Sequence, residues 1–184
     1  MTGHPMLILV VGPSGAGKDT LIGVAQNALA ADPRFRFVRR VITRPSHAGG
    51  EAHDAVSEAA FAQRQFALKW QAHGLHYGIP LDIIADLARG IVVVANVSRG
   101  IIADASTRFP VRVIEVTAPP EILAARLAGR GRESPQDVVQ RLARDVPIPS
   151  YVSVETIVND GTPAEAADRF INALLRAASP APPG

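Results

Sequence analysis

Met6-Leu7-Ile8-Leu9-Val10-Val11, followed at once by Gly12-Pro13-Ser14-Gly15-Ala16-Gly17-Lys18-Asp19-Thr20, decides how this chain is read. The first run is apolar at every position and rich in branched side chains, the pattern of a strand covered on both faces in a parallel sheet. Gly12-Pro13 stops it. From 20 to 31 the apolar residues recur at helical spacing and end before Asp32-Pro33. Between strand and helix, glycines let the backbone curl so that successive N–H groups converge, and the helix start adds its positive end. Lys18 can reach the β- and γ-phosphates of a nucleotide held there. A glycine turn with a stray lysine would need neither the strand before it nor the helix after it.

Working outward, 91–95 and 111–116 are further buried-strand runs, with a helix expected over 100–108 between them. Residues 37–42 are a second strand candidate. A short helix is expected over 58–65, another from 120 to 127, and helical character again over 135–145. Residues 156–159 make a last short strand before an amphipathic helix over 163–177, and 179–184 read as a disordered tail. Alternating buried strands and helices predict an α/β fold with a mainly parallel sheet, formed by 1–184 as one domain.

Composition narrows the partners. The 184 residues are 47% hydrophobic and 20% charged, as in a globular domain. Nineteen basic against seventeen acidic side chains leave +2, too near balance to announce a nucleic-acid binder. Lys18 and Lys69 are the only lysines, so the basic groups are almost all arginine, which grips oxyanions with a fork of donors. The absence of cysteine excludes disulfide scaffolds, Cys-ligated zinc and thiol catalysis. The apolar run 6–11 is too short for a signal core or a membrane span, so no membrane partner and a cytoplasmic location are expected. Nothing in the sequence specifies an oligomeric state.

The position after Lys18, where a phosphate loop ordinarily carries Ser or Thr for magnesium, holds Asp19, with Thr20 next. Asp19 reads either as a hard-oxygen ligand for Mg2+ or as an acid favoured at a helix start, with Thr20 meeting a phosphate. Further on, Thr43-Arg44-Pro45 holds a guanidinium in extended geometry. His47, His53, His73 and His76 form no metal-ligand spacing, and Phe61, Phe66 and Trp70 read as core. Arg126, Arg130, Arg132, Arg141 and Arg144 flank Gly129 and Gly131, which fits either a charged surface or a closing arginine lid.

The chain resembles the guanylate kinase-like branch of the nucleoside monophosphate kinase fold. The likeness rests on Gly12 to Lys18, Thr43-Arg44-Pro45, His73-Gly74 with Tyr77-Gly78, Pro119-Pro120, Arg126-Leu127 with Arg130-Gly131, Arg141-Leu142 and Val158-Asn159-Asp160. It implies a three-layer P-loop fold with a substrate-binding segment at about 35–80 and a lid at about 126–145. By the same resemblance, Gly12, Pro13, Ser14, Gly15, Ala16, Gly17, Lys18, Asp19 and Thr20 would bind ATP with Mg2+, and Asn159 would lie near the adenine. Arg44 and Tyr77 would hold the acceptor phosphate, while Arg130 and Arg141 would close over the transferred group.

Some positions depart from that pattern. Where a guanylate kinase has the glutamate that reads guanine, this chain has Leu68; His53 stands for a tyrosine, and Asn96 for an aspartate. With Gly17-Lys18-Asp19, Glu51, His53 and Arg130-Gly131-Arg132-Glu133, these substitutions resemble the ribose 1,5-bisphosphate phosphokinases, which make phosphoribosyl diphosphate during phosphonate catabolism. That narrower resemblance implies ATP and a phosphorylated pentose as substrates, with Glu51, His53, His73 and Arg99 added to the acceptor site. A divergent guanylate kinase and a non-catalytic interaction module are the alternatives.

Overall fold

The computed structural model describes residues 5–45, 52–128 and 146–179. Its main sheet has five strands, β1 (Met6–Val11), β2 (Phe35–Phe37), β7 (Val92–Asn96), β8 (Val111–Thr117) and β9 (Ser153–Val158), in the order β2-β7-β1-β8-β9. Every neighbouring pair is parallel. β1 lies at the centre, and Leu7 through Val11 are fully buried. Its alternate side chains enter different cores, which is why the run has no polar positions. Ile8 and Val10 join the layer of α1 (Lys18–Ala28) and the C-terminal α6 (Pro163–Ala178), through Leu21, Phe170 and Leu174. Leu7, Leu9 and Val11 face the opposite layer, with Leu68, Ile79 and Ile83. α6 starts cleanly because Pro163 sits in its first turn and Thr162 and Glu165 form a capping box.

The opposite layer carries a second sheet, in the order β4-β3-β6-β5. β3 (Val41–Ile42) and β4 (Asp54–Ala55) pair in parallel, whereas β3–β6 and β5–β6 are antiparallel. α2 (Glu58–Ala62) precedes β5 (Phe66–Ala72), and α3 (Ile83–Ala88) follows β6 (Leu75–Pro80). The β5–β6 hairpin turns on His73 and Gly74, both at positive φ (51° and 72°), as a two-residue type I′ loop requires. After β7, a 3₁₀ turn (Arg99–Ile101) leads into α4 (Ile102–Arg108), and α5 (Pro120–Ala128) follows β8.

Three expectations change. The strand expected over 37–42 is two strands in two sheets: after Val38 donates to Val94 O at 2.9 Å, the chain leaves the main sheet at Arg39 and Arg40. Two successive arginines suit that exit better than a strand interior. The polar stretch 66–80 is a hairpin, hidden in sequence because its turn is His-Gly rather than Asn-Gly. α3 was not expected; its short run lies beside Arg36 of β2, which pairs with Asp82 at 2.7 Å and with Asp86. Asp86, 4% exposed, also pairs with Arg89. Burial pushes the Asp86 carboxyl up, but hydrogen bonds from Arg36 and Arg89 outweigh it and hold the group below its ordinary value. This cluster bolts α3 to β2. The helix expected over 135–145 and residues 180–184 of the tail lie outside the described residues. Among the described residues no helix is long and apolar enough to cross a membrane.

Candidate active site

The loop leaves β1 at Gly12, whose φ of 145° and position against Val116 O both demand glycine: an added Cβ would stand 1.9 Å from that oxygen. Gly17, at φ 93°, caps α1, and a Cβ there would meet the Asn159 amide at 2.6 Å. Lys18 opens α1 and curls back, its Nζ donating to Gly12 O at 2.6 Å and Pro13 O at 3.0 Å. The loop is braced from behind. Asn159, 7% exposed, donates from Nδ2 to Ala16 O at 2.8 Å, and Arg126 donates to Gly15 O at 3.3 Å and Asn159 O at 3.1 Å.

A cleft of about 460 Å³ opens in front of the loop. It brings together Gly12, Pro13, Ser14, Gly15, Gly17, Lys18, Asp19 and Thr20 with Arg44, His73, Tyr77 and Arg99. Ala16 is buried in the core, and Asn159 supports the loop rather than lining the cleft. Asp19 Oδ1 accepts a hydrogen bond from Nδ2 of Asn96, at the end of β7, at 2.8 Å. The neutral amide and the carboxylate thus meet at the cleft floor, between the central strand's loop and its parallel neighbour.

Across the cleft the lining comes from the small sheet. Trp70 and Tyr77 are partners in the β5–β6 register, and their rings stack 5.4 Å apart and 8° from parallel. The Arg40 guanidinium lies 5.2 Å from the centre of the Tyr77 ring, within cation–π range. Arg99 is held by Glu115 at 2.6 Å, whose other oxygen accepts from Thr156 at 3.2 Å. Lys18, Arg40, Arg44 and Arg99 therefore face one lining carboxylate, Asp19, among the described residues. Such a field suits polyanions.

His53 stands behind this wall rather than in it. It is 8% exposed, its Nε2 is 3.0 Å from Arg44 O and its Nδ1 is 3.4 Å from Arg44 Nη2. A guanidinium can only donate, so the arrangement fits a neutral ring accepting at Nδ1 and donating at Nε2. Both contacts tie His53 to Arg44. Leu68 is 1% exposed and packed in the core of the second layer, not in the cleft. Glu51, Arg130, Arg141 and most of the lid segment lie outside the described residues.

Arg40 and Trp70 are site residues that the sequence did not single out, and Arg126, read there as one arginine of a charged surface or lid, contacts the loop backbone. Trp70, expected in the core, packs on the second core and also lines the cleft. Its signal was its place two residues before Ala72 on the same strand face, legible only once β5 is known.

A phosphate loop between the central parallel strand and its helix, facing a cationic cleft, defines a P-loop kinase of the guanylate kinase-like fold. Guanylate kinase from Anaplasma phagocytophilum superposes with a TM-score of 0.64 at 17% identity, over 97% of this chain and 88% of that one. A gluconokinase from Sinorhizobium meliloti gives 0.53 at 16% identity, over 95% and 94%. These likenesses speak to fold.

Sequence relatives narrow the class. Ribose 1,5-bisphosphate phosphokinase PhnN of Acidiphilium cryptum is 52% identical over 171 residues, covering 92% of each chain. The protein of the same name from Methylobacterium radiotolerans is 50% identical over 176 residues, covering 93% of this chain and 97% of its own. A bifunctional ribose 1,5-bisphosphokinase-thymidine phosphorylase of Azorhizobium caulinodans is 46% identical over 179 residues, and the chain spans 26% of that relative's length. No protein-family model matches. The chain belongs to the ribose 1,5-bisphosphate phosphokinase family.

Proposed function

We propose that the protein transfers the γ-phosphoryl group of ATP to the anomeric phosphate of ribose 1,5-bisphosphate, giving phosphoribosyl diphosphate and ADP, a step of phosphonate catabolism. The observation that carries the reading is the cleft's charge: among the described residues Lys18, Arg40, Arg44 and Arg99 line it with one carboxylate, Asp19, which Asn96 engages, while Glu115 pairs with Arg99 from beside it. A sugar hydroxyl acceptor would call for a base to take its proton, whereas a phosphate oxygen is already anionic near neutral pH. That oxygen attacks the γ-phosphorus, the bond from γ-phosphorus to the bridging oxygen breaks, and ADP leaves with the electron pair. The protein's work is alignment and charge neutralisation.

Lys18 exchanges the Gly12 and Pro13 carbonyls for the β- and γ-phosphate oxygens. Arg44, fixed by His53, and Tyr77 hold the acceptor phosphate, while Arg99, anchored by Glu115, and His73 serve the second phosphate of the pentose. The donor set at the loop fits magnesium, since the Asp19 carboxylate and Thr20 hydroxyl are hard oxygens on the cleft. Among the described residues no group of three or more carboxylates or histidines could hold an ion alone. When bound, Mg2+ neutralises charge on the β- and γ-phosphates.

ADP release measured with ATP and a panel of acceptors tests the reading. Ribose 1,5-bisphosphate is expected to give turnover well above GMP and ribose 5-phosphate. Faster turnover with GMP would make the protein a divergent guanylate kinase, and none with any acceptor would remove the enzymatic reading.

A further inference from the structure

We propose that Trp70 sets the size and shape of the acceptor, with its indole forming a wall that admits a pentose and excludes a nucleobase. The inference deepens the reading above and rests on it. Trp70 is half-buried, with its inner side packed on the second core and its outer part on the cleft. The ring is anchored twice, because it also stacks on Tyr77, which is 8% exposed and itself lines the cleft. Arg40 lies within cation–π range of that Tyr77 ring. A side chain gripped by core and by a stacked neighbour cannot swing aside without losing both contacts.

The chemistry of the wall matches the acceptor. Tyr77 and Arg44 share the cleft with the indole, so a sugar attached to a phosphate held by those two comes to rest beside Trp70. A furanose presents C–H groups and is small enough to lie along a ring. A purine in the same place would need the volume that the indole fills. Leu68 offers nothing to such a base, since it is packed inside the core one residue pair away on the same strand. Exclusion here is steric, and it works together with the cationic groups that favour a second phosphate.

Trp70 is also the chain's single tryptophan, so its emission reports on this wall alone. Titrating the wild-type protein with ribose 1,5-bisphosphate, without ATP, is expected to change that emission saturably, while GMP at the same concentrations leaves it unaltered. The acceptor ratio in kcat/KM, ribose 1,5-bisphosphate over GMP, is then compared among the wild type, Trp70→Phe and Trp70→Ala. A fall of at least about tenfold in Trp70→Ala, with most of the ratio kept in Trp70→Phe, is the expected result. A folded Trp70→Ala with an unchanged ratio would overturn the proposal. So would an emission indifferent to saturating ribose 1,5-bisphosphate, a result that needs no variant to fold. Failure of the activity reading looks different, because it appears as absent or GMP-directed turnover in the wild type itself.

Discussion

At the loop end of the cleft the working parts are backbone conformations and one lysine, set by glycines at 12, 15 and 17 that all lie at positive φ. At the hairpin end they are side chains, Arg40, Arg44, Trp70, His73 and Tyr77, delivered by three strands and a turn of a separate sheet. The first end grows from a single stretch of sequence and is bolted to the central strand. The second is assembled from residues up to 37 positions apart, Arg40 to Tyr77. A substitution at the loop should therefore remove the reaction, and one at the hairpin should redirect or weaken it.

The largest effect is expected from Lys18→Ala. If the Lys18 ammonium meets the transferring phosphates, it contributes charge rather than packing, so turnover should fall by about 10²–10³-fold or more while the melting temperature stays near that of the wild type. Retention of most activity would detach the loop from the chemistry.

Asp19 and Asn96 sharpen the contrast, because they tie the loop to the neighbouring strand. If Asn96 orients the Asp19 carboxylate toward the metal, Asn96→Ala should raise the half-saturating Mg2+ concentration by about tenfold, and weaken Mn2+ binding measured by electron paramagnetic resonance with ATP present. An unchanged metal dependence with a lowered melting temperature would make Asp19 a helix-start acid only.

How much of each end was legible in the sequence follows from the same contrast. Strand, glycines, lysine and helix are contiguous, so their spacing alone states the loop's geometry. Leu7 to Val11, apolar throughout, likewise announced a strand buried on both sides. The hairpin end is set by register: Trp70 meets Tyr77 only because His73 and Gly74 form a two-residue turn, and His is an uncommon choice there. Asn159 and His53 were legible as residues of interest, but not their contacts with Ala16 and Arg44. Those partners are 143 and 9 positions away, contacts that no local pattern encodes.

The ion-pair cluster that fastens α3 to β2, away from both ends of the cleft, gives a stability test. Asp86→Asn takes the carboxylate from both Arg36, which keeps Asp82, and Arg89, and should cost about 1–3 kcal/mol near pH 7, by calorimetry or denaturant melts. Because the folded carboxyl is held below its ordinary value, its contribution is full above the unfolded pKa of about 3.9. It is lost as the pH falls from there through the lowered folded value, so the gap between wild type and variant should close in acid. A gap that persists at low pH would place the cost in packing.

The smallest effect is expected at the turn itself. His73→Asn supplies a residue that tolerates positive φ more readily, so it should stabilise the hairpin by a few tenths of a kcal/mol. If the imidazole meets the pentose bisphosphate, the KM for that acceptor should rise a few-fold while kcat holds. A stability gain with unaltered KM would remove His73 from the site.

The acceptor separates this reaction from that of a guanylate kinase, and direct competition measures it. With limiting ATP, ribose 1,5-bisphosphate and GMP at equal concentration, phosphorus NMR should show phosphoribosyl diphosphate as the dominant product and little GDP. GDP forming as fast or faster would make GMP the acceptor and overturn the ribose 1,5-bisphosphate reading.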